Sequence, residues 1–148
     1  MDRTTDLLQQ SIDQFWDTFP TVWSGIRGHI RAFAAEHFDI TFEQFQILRH
    51  VHKGIQSVSE LAEVKGISRP AISQAVDLLV ERGLLTRRQS PDDRRYVQLE
   101  LTTAGQELMD AIFRENREWM QARLSTLNEE EIRAVLAAFA ALKKAFAD

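Results

Sequence analysis

The stretch from Ser57 to Gly83, "SVSELAEVKGISRPAISQAVDLLVERG", constrains the fold more than any other part of the chain. It holds two short helical patterns with only about three residues between them, which is the helix-turn-helix arrangement. Ser57-x-x-Glu60 reads as a capping box opening the first helix, with Leu61 and Val64 facing inward and Gly66 ending it. Ser68 or Arg69 can cap the second helix, Pro70 fits its first turn and Gly83 closes it. Ile72, Val76, Leu79 and Val80 form its buried side, and Ile67 joins Ile72 and Val76 in holding it to the first helix. Ala62 and Gly66 are small where the helices come close. The opposite face carries Arg69, Ser73, Gln74 and Asp77. A helix that follows a tight turn can be presented to a DNA major groove, where glutamine bonds adenine and serine takes either partner. Asp77 is expected to orient Arg69 or to accept from cytosine. These residues alone also fit the solvent side of an ordinary amphipathic helix.

The next segment sharpens the choice. "LLTRRQ" and "YVQLELT" flank "SPDDRR", and Val97, Leu99 and Leu101 alternate with Gln98 and Glu100, so the second run is a half-buried strand. The first run pairs with it as a hairpin. Arg87, Arg88, Arg94 and Arg95 crowd around the turn, in a chain whose net charge is −4. Residues 57–102 hold seven basic and seven acidic side chains, so all of the excess negative charge lies elsewhere. Such a balance argues against coating nucleic acid through bulk charge, but distribution matters more than the total. One reading is a solvated hairpin tip. The other is an edge that faces phosphate, with a loop-tip arginine narrow enough for a minor groove. A carboxylate at Asp93 can then hold the Arg95 guanidinium in one geometry by paired hydrogen bonds.

Long helical patterns surround this block. Over residues 4–36, Leu8, Ile12, Phe15, Trp16, Phe19, Trp23, Ile26, Ile30 and Phe33 recur at three- and four-residue steps. Pro20 is expected to kink this helix or to start a second one. Thr41-x-x-Gln44 caps the helix in "DITFEQFQILRHVHKG", whose apolar face is Phe42, Phe45, Leu48 and Val51. Thr103-x-x-Gln106 opens a long helix with Leu108, Ile112, Trp119, Met120 and Leu124 inward, and Asn128-x-x-Glu131 opens the last one. Ile132, Val135, Leu136, Phe139, Leu142 and Phe146 line that final helix. These stripes exceed what a monomer can cover, and burial across a two-fold axis would make a homodimer. The expected fold is therefore mainly α: a winged helix-turn-helix over 41–102, between long N- and C-terminal helices (1–40 and 103–148) that form a dimerisation region.

Several classes are disfavoured. The chain has no cysteine, which rules out disulfides, thiol redox sensing and cysteine-ligated zinc. No apolar run is long enough for a membrane span and "MDRTTDLLQQ" lacks a signal core, so a cytoplasmic protein is expected. No nucleophile motif, phosphate loop or metal-binding helix motif is present, so an enzyme is not expected, nor a cofactor. His50-x-His52 is the only local histidine cluster, and residues two apart on a helix point in different directions, so no metal is expected.

"SPDDRRYVQLELTTAG" and "SELAEVKGISRPAISQAVDLLVERGLLTR" resemble the wing signature and the helix-turn-helix of the multiple antibiotic resistance regulator (MarR) family of bacterial transcription factors. The resemblance covers about residues 20–147. It implies a homodimeric regulator of repressor type on a palindromic operator in double-stranded DNA. It makes 69–82 the recognition helix, Arg95 the minor-groove residue and Asp93 its buttress. Arg69, Pro70, Ser73, Gln74, Asp77, Arg87, Arg88, Asp93, Arg94 and Arg95 are the candidate DNA-binding residues. The segment before Pro20 exceeds the family's usual start and is assigned to dimerisation. The family also implies a pocket for a small aromatic or phenolic effector, for which Trp23, Arg27, His29, His50 and His52 are the candidates. The same residues also fit a core tryptophan and surface histidines. The rival to operator binding is a winged-helix module that docks protein instead.

Overall fold

The computed structural model describes residues 2–147. Met1 and Asp148, the ends of the two expected dimerisation segments, lie outside the described residues. The elements run α1 (Arg3–Phe38), α2 (Phe42–His52), α3 (Val58–Lys65), α4 (Arg69–Glu81), β1 (Leu85–Gln89), β2 (Val97–Leu101), α5 (Thr103–Leu124) and α6 (Glu129–Ala145). The chain divides into two compact units, one up to Phe113 and one from Arg114 onward, so the boundary falls within α5.

Local chemistry accounts for most of the element ends. Asp2 caps α1, whose 36 residues run through Pro20 without a second helix starting there. Of the two outcomes expected at Pro20, a kink or a second helix, the second is corrected: Pro20 withholds one backbone donor, but the flanking turns continue the same helix. Asp39, at φ 52°, ends α1 in the left-handed region. Thr41 and Gln44 form the full capping box of α2. At α3 only half of the expected box forms, with Ser57 accepting from the Glu60 amide. Gly66, at φ 63°, turns the chain out of α3, and Ser68 caps α4. The cap of α5 is Thr102 rather than Thr103: its Oγ1 accepts from the Gly105 amide at 3.0 Å and donates to Gly83 O at 2.5 Å. The second of these bonds is tertiary and fixes the choice between the two threonines. Asn128 and Glu131 close the box that opens α6.

The buried core lies in the first unit. Ile30 and Ala34 of α1, Phe42, Phe45, Ile47, Leu48 and Val51 of α2 and Leu61 of α3 meet Ile72, Val76 and Leu79 of α4 there. Leu85, Leu99, Leu108, Met109 and Ile112 complete it. Gly105 lies against the α4–β1 turn, where a Cβ would sit 2.1 Å from the Leu84 carbonyl oxygen. Four residues expected to be inward are exposed instead, namely Val64, Ile67, Val97 and Leu124. The α3 helix is only eight residues long and buries Leu61 and Ala62, which leaves Val64 on the outer side. Val97 opens β2 toward the hairpin tip, beyond the reach of the core. The stretch of α1 from Leu8 to Trp23 leaves Leu8, Ile12, Trp16, Phe19 and Trp23 exposed. In the second unit, α6 leaves Leu136 and Phe139 exposed and has no buried residue, and Phe146 at its C-cap is exposed as well. Among the described residues, no helix is long and apolar enough to cross a membrane.

Candidate nucleic-acid interface

The α3–α4 turn is built by Gly66 and by the Ile67 amide, which donates to Ala62 O at 3.1 Å. This sets the start of α4 just beyond the end of α3. Ile72, Val76 and Leu79 take the inner face of α4, so Arg69, Pro70, Gln74 and Asp77 emerge on the other side, with Ser73 half-buried. Four of these five side chains are thus open to a partner.

The wing is an antiparallel pair in which Leu85 lies opposite Leu101, Arg87 opposite Leu99 and Arg88 opposite Gln98. Opposed residues share a face and neighbours along a strand alternate. Arg87 therefore lies on the face of the buried Leu85 and Leu99, while Arg88 lies on the other. Arg87 is an ion-pair partner of Asp77 on α4. Of the two roles expected for Asp77, orienting Arg69 or accepting from cytosine, the first is corrected: the hairpin register brings Arg87 to it, not Arg69. Arg88 approaches Glu100 at 3.7 Å across the outer face. The Leu99 amide also donates to Gln56 O at 2.7 Å, which ties β2 to the segment before α3.

The loop between the strands folds on itself. The Ser90 amide donates to Tyr96 O, and the Tyr96 amide to Asp93 O. One oxygen of Asp93, Oδ1, accepts from the Arg95 backbone amide at 3.0 Å and from its Nε at 3.2 Å. The pairing expected at the guanidinium alone is thus shared between backbone and side chain. The outcome is an Arg95 side chain that is 90% exposed yet held at its backbone amide and at Nε. Arg94 is exposed beside it, its carbonyl accepting from Gln89 Nε2 at 3.5 Å. Tyr96 is a further exposed side chain at this tip, adjacent to Arg95 in sequence, that charge counting passes over.

The five effector candidates are less coherent. Trp23 and Arg27 are exposed on α1, and His29 is half-buried there. His50 is half-buried on α2; burial first, and then Lys65, Arg49 and Lys53, hold its pKa below the ordinary imidazole value. His52 packs on Phe113 at 5.5 Å between centroids and has Nδ1 3.4 Å from Gln106 Oε1. It borders an open concavity of about 220 Å³ with Gln56, Leu99, Glu100 and Gln106, which none of the other four candidates lines. Among the described residues no cluster of three or more His, Asp or Glu could hold a metal ion.

Comparison with known proteins agrees with this architecture. The model of the MarR family matches residues 38–95. The uncharacterized HTH-type transcriptional regulator YhbI of Bacillus subtilis is 32% identical over 101 residues, covering 68% of this chain and 65% of that protein. The HTH-type transcriptional repressor MdtR of the same organism is 31% identical over 94 residues, covering 63% and 61%. The chain thus spans a little under two thirds of the length of either relative. The crystal structure of the transcriptional regulator Tm0710 from Thermotoga maritima shares the fold, with a TM-score of 0.76 at 24% identity, over 90% of this chain and 94% of that one.

Proposed function

The chain belongs to the MarR family of winged helix-turn-helix transcriptional regulators, and on that footing we propose that it is a homodimeric repressor of a palindromic operator. Each protomer sets α4 into a major groove through Arg69, Pro70, Ser73 and Gln74, and the wing tip reaches the adjacent minor groove through Arg95. The observation that carries this reading is the tip itself: Arg95 is almost fully exposed, yet Asp93 accepts hydrogen bonds from both its backbone amide and its Nε. A solvated surface arginine needs no such buttress. Arg88 and Arg94 supply phosphate contacts on either side.

Dimerisation is supported by the uncovered apolar side chains of α1 and α6, Trp16, Phe19, Leu136 and Phe139 among them. Large exposed apolar patches of this kind mark association surfaces. In this reading residues 1–40 and 103–148 supply the dimer and 41–102 the DNA-binding region. Repression follows from occupancy, since a bound dimer excludes other proteins from the operator, and the relative MdtR is named a repressor. A small aromatic or phenolic effector beside His52 would release DNA by favouring a different spacing of the two recognition helices.

Fluorescence anisotropy with the chain's own upstream DNA, across a salt series and against a scrambled duplex, tests the proposal. Tight, salt-sensitive binding that prefers the native duplex is expected. The same affinity for both duplexes at every salt concentration would favour a winged helix that docks protein.

A further inference from the structure

The wing arginines divide into two groups. Arg88 and Arg95 keep 69% and 90% of their side-chain surface, whereas Arg87 keeps 33% and is bonded to Asp77. The strand register explains the difference, because Arg87 shares its face with Leu85 and Leu99, the face that β1 turns to the core. A second arginine is used in the same manner. Arg82, at the end of α4, donates from Nη1 to Asp39 O at 2.5 Å and from Nη2 to Phe38 O at 2.6 Å. Those carbonyls are at the C-terminus of α1, where a helix end carries partial negative charge. The helix α4 is thus fastened to α1 by Arg82 and to the wing by Asp77.

We infer that Arg87 and Asp77 are positioning residues: their ion pair fixes the wing on the recognition helix, and neither contacts DNA. This rests on the operator-binding reading above. The physical consequence is a spacing rule. A regulator that reads a major groove with α4 and a minor groove with Arg95 needs a fixed separation between the two, and the Asp77–Arg87 pair bridges the elements that carry them. The pair also neutralises two charges on the DNA-facing side, so that Asp77 does not repel phosphate.

The inference makes an unusual demand. Removing a carboxylate from a DNA-facing surface ordinarily tightens binding, because it removes repulsion. Here Asp77→Asn is expected to weaken operator binding about fivefold, and Arg87→Gln by a similar factor. The double variant is expected to bind no worse than the weaker single one, as two members of one interaction do. The salt dependence of binding should stay unchanged in Arg87→Gln, since no phosphate contact is lost. Tighter binding by Asp77→Asn, or a salt slope reduced by about one in Arg87→Gln, would overturn the inference. Amide hydrogen exchange of the DNA-free protein separates this from failure of operator binding itself. Residues 85–89 should exchange faster in Asp77→Asn than in the wild type, while α2 stays unchanged. Equal exchange at 85–89 would overturn the clasp even if the wild-type protein bound no operator.

Discussion

Gly105→Ala sets two well-defined effects against each other. Gly105 is in the first turn of α5, and helix propensity alone favours alanine there by about 1 kcal/mol. The packing opposes this. A Cβ at position 105 would sit 2.1 Å from Leu84 O, which is backbone and cannot swing aside. Leu84 O also accepts from the Thr102 amide at 3.1 Å, so displacing it strains the junction that holds α5 to the α4–β1 turn. Overpacking of this kind costs about 1–3 kcal/mol, and a weakened hydrogen bond adds roughly 1 kcal/mol. The balance is a net loss of about 1–3 kcal/mol. For a chain of this size that lowers Tm by roughly 2–12 °C. Thermal unfolding followed by circular dichroism is the assay, at one fixed protein concentration because the proposed dimer would make Tm depend on it. A Tm equal to or above that of the wild type would refute the close approach as the reason for glycine at this position.

Two further predictions follow from other parts of the chain. Phe139→Asp on α6 would remove apolar contact that the proposed dimer buries, worth about 1.5–3 kcal/mol per copy and counted twice across a two-fold axis, so that dimer should weaken at least about a hundredfold; sedimentation showing an unchanged dimer at low micromolar concentration would place the interface elsewhere. The lowered pKa of His50 means that the folded chain resists the proton that the unfolded chain accepts, so this histidine contributes stability above pH ~6.5 that is lost as the pH falls below it. His50→Gln should therefore flatten the fall in Tm below pH ~6.5, and an unchanged slope in a urea or thermal series would assign that fall to other groups.

Capping explains why so many element ends were legible. Thr41 with Gln44, Asn128 with Glu131, Ser68 before Pro70 and Gly66 after α3 all act within four residues, so sequence spacing contains the whole interaction. Thr102 and Thr103 are chemically equal in sequence, and only the tertiary bond to Gly83 O distinguishes them. Hydropathy read Val64, Ile67 and Val97 as inward because it registers the side chain and not the space beside it. The charge cluster on the wing was legible as a cluster, but not as two populations. Alternation separates Arg87 from Arg88 once Leu85 and Leu99 are placed on one face, a step that needs the pairing register. Arg82 carried no local signal, since its acceptors lie more than forty residues earlier. The effector candidates share only residue type and a place on α1 or α2, and of them only His52 borders the concavity beside β2 and Gln106.

The central claim is that the wing tip reads DNA through Arg95. It is tested most directly by comparing the wild type with Arg95→Ala on the native operator, by anisotropy at a fixed salt concentration, with sedimentation to confirm equal assembly. The account predicts an intact dimer whose operator binding is weaker by about 1–3 kcal/mol, the scale of one lost groove contact. Unchanged affinity in an intact dimer would contradict it and remove the wing from the recognition of DNA.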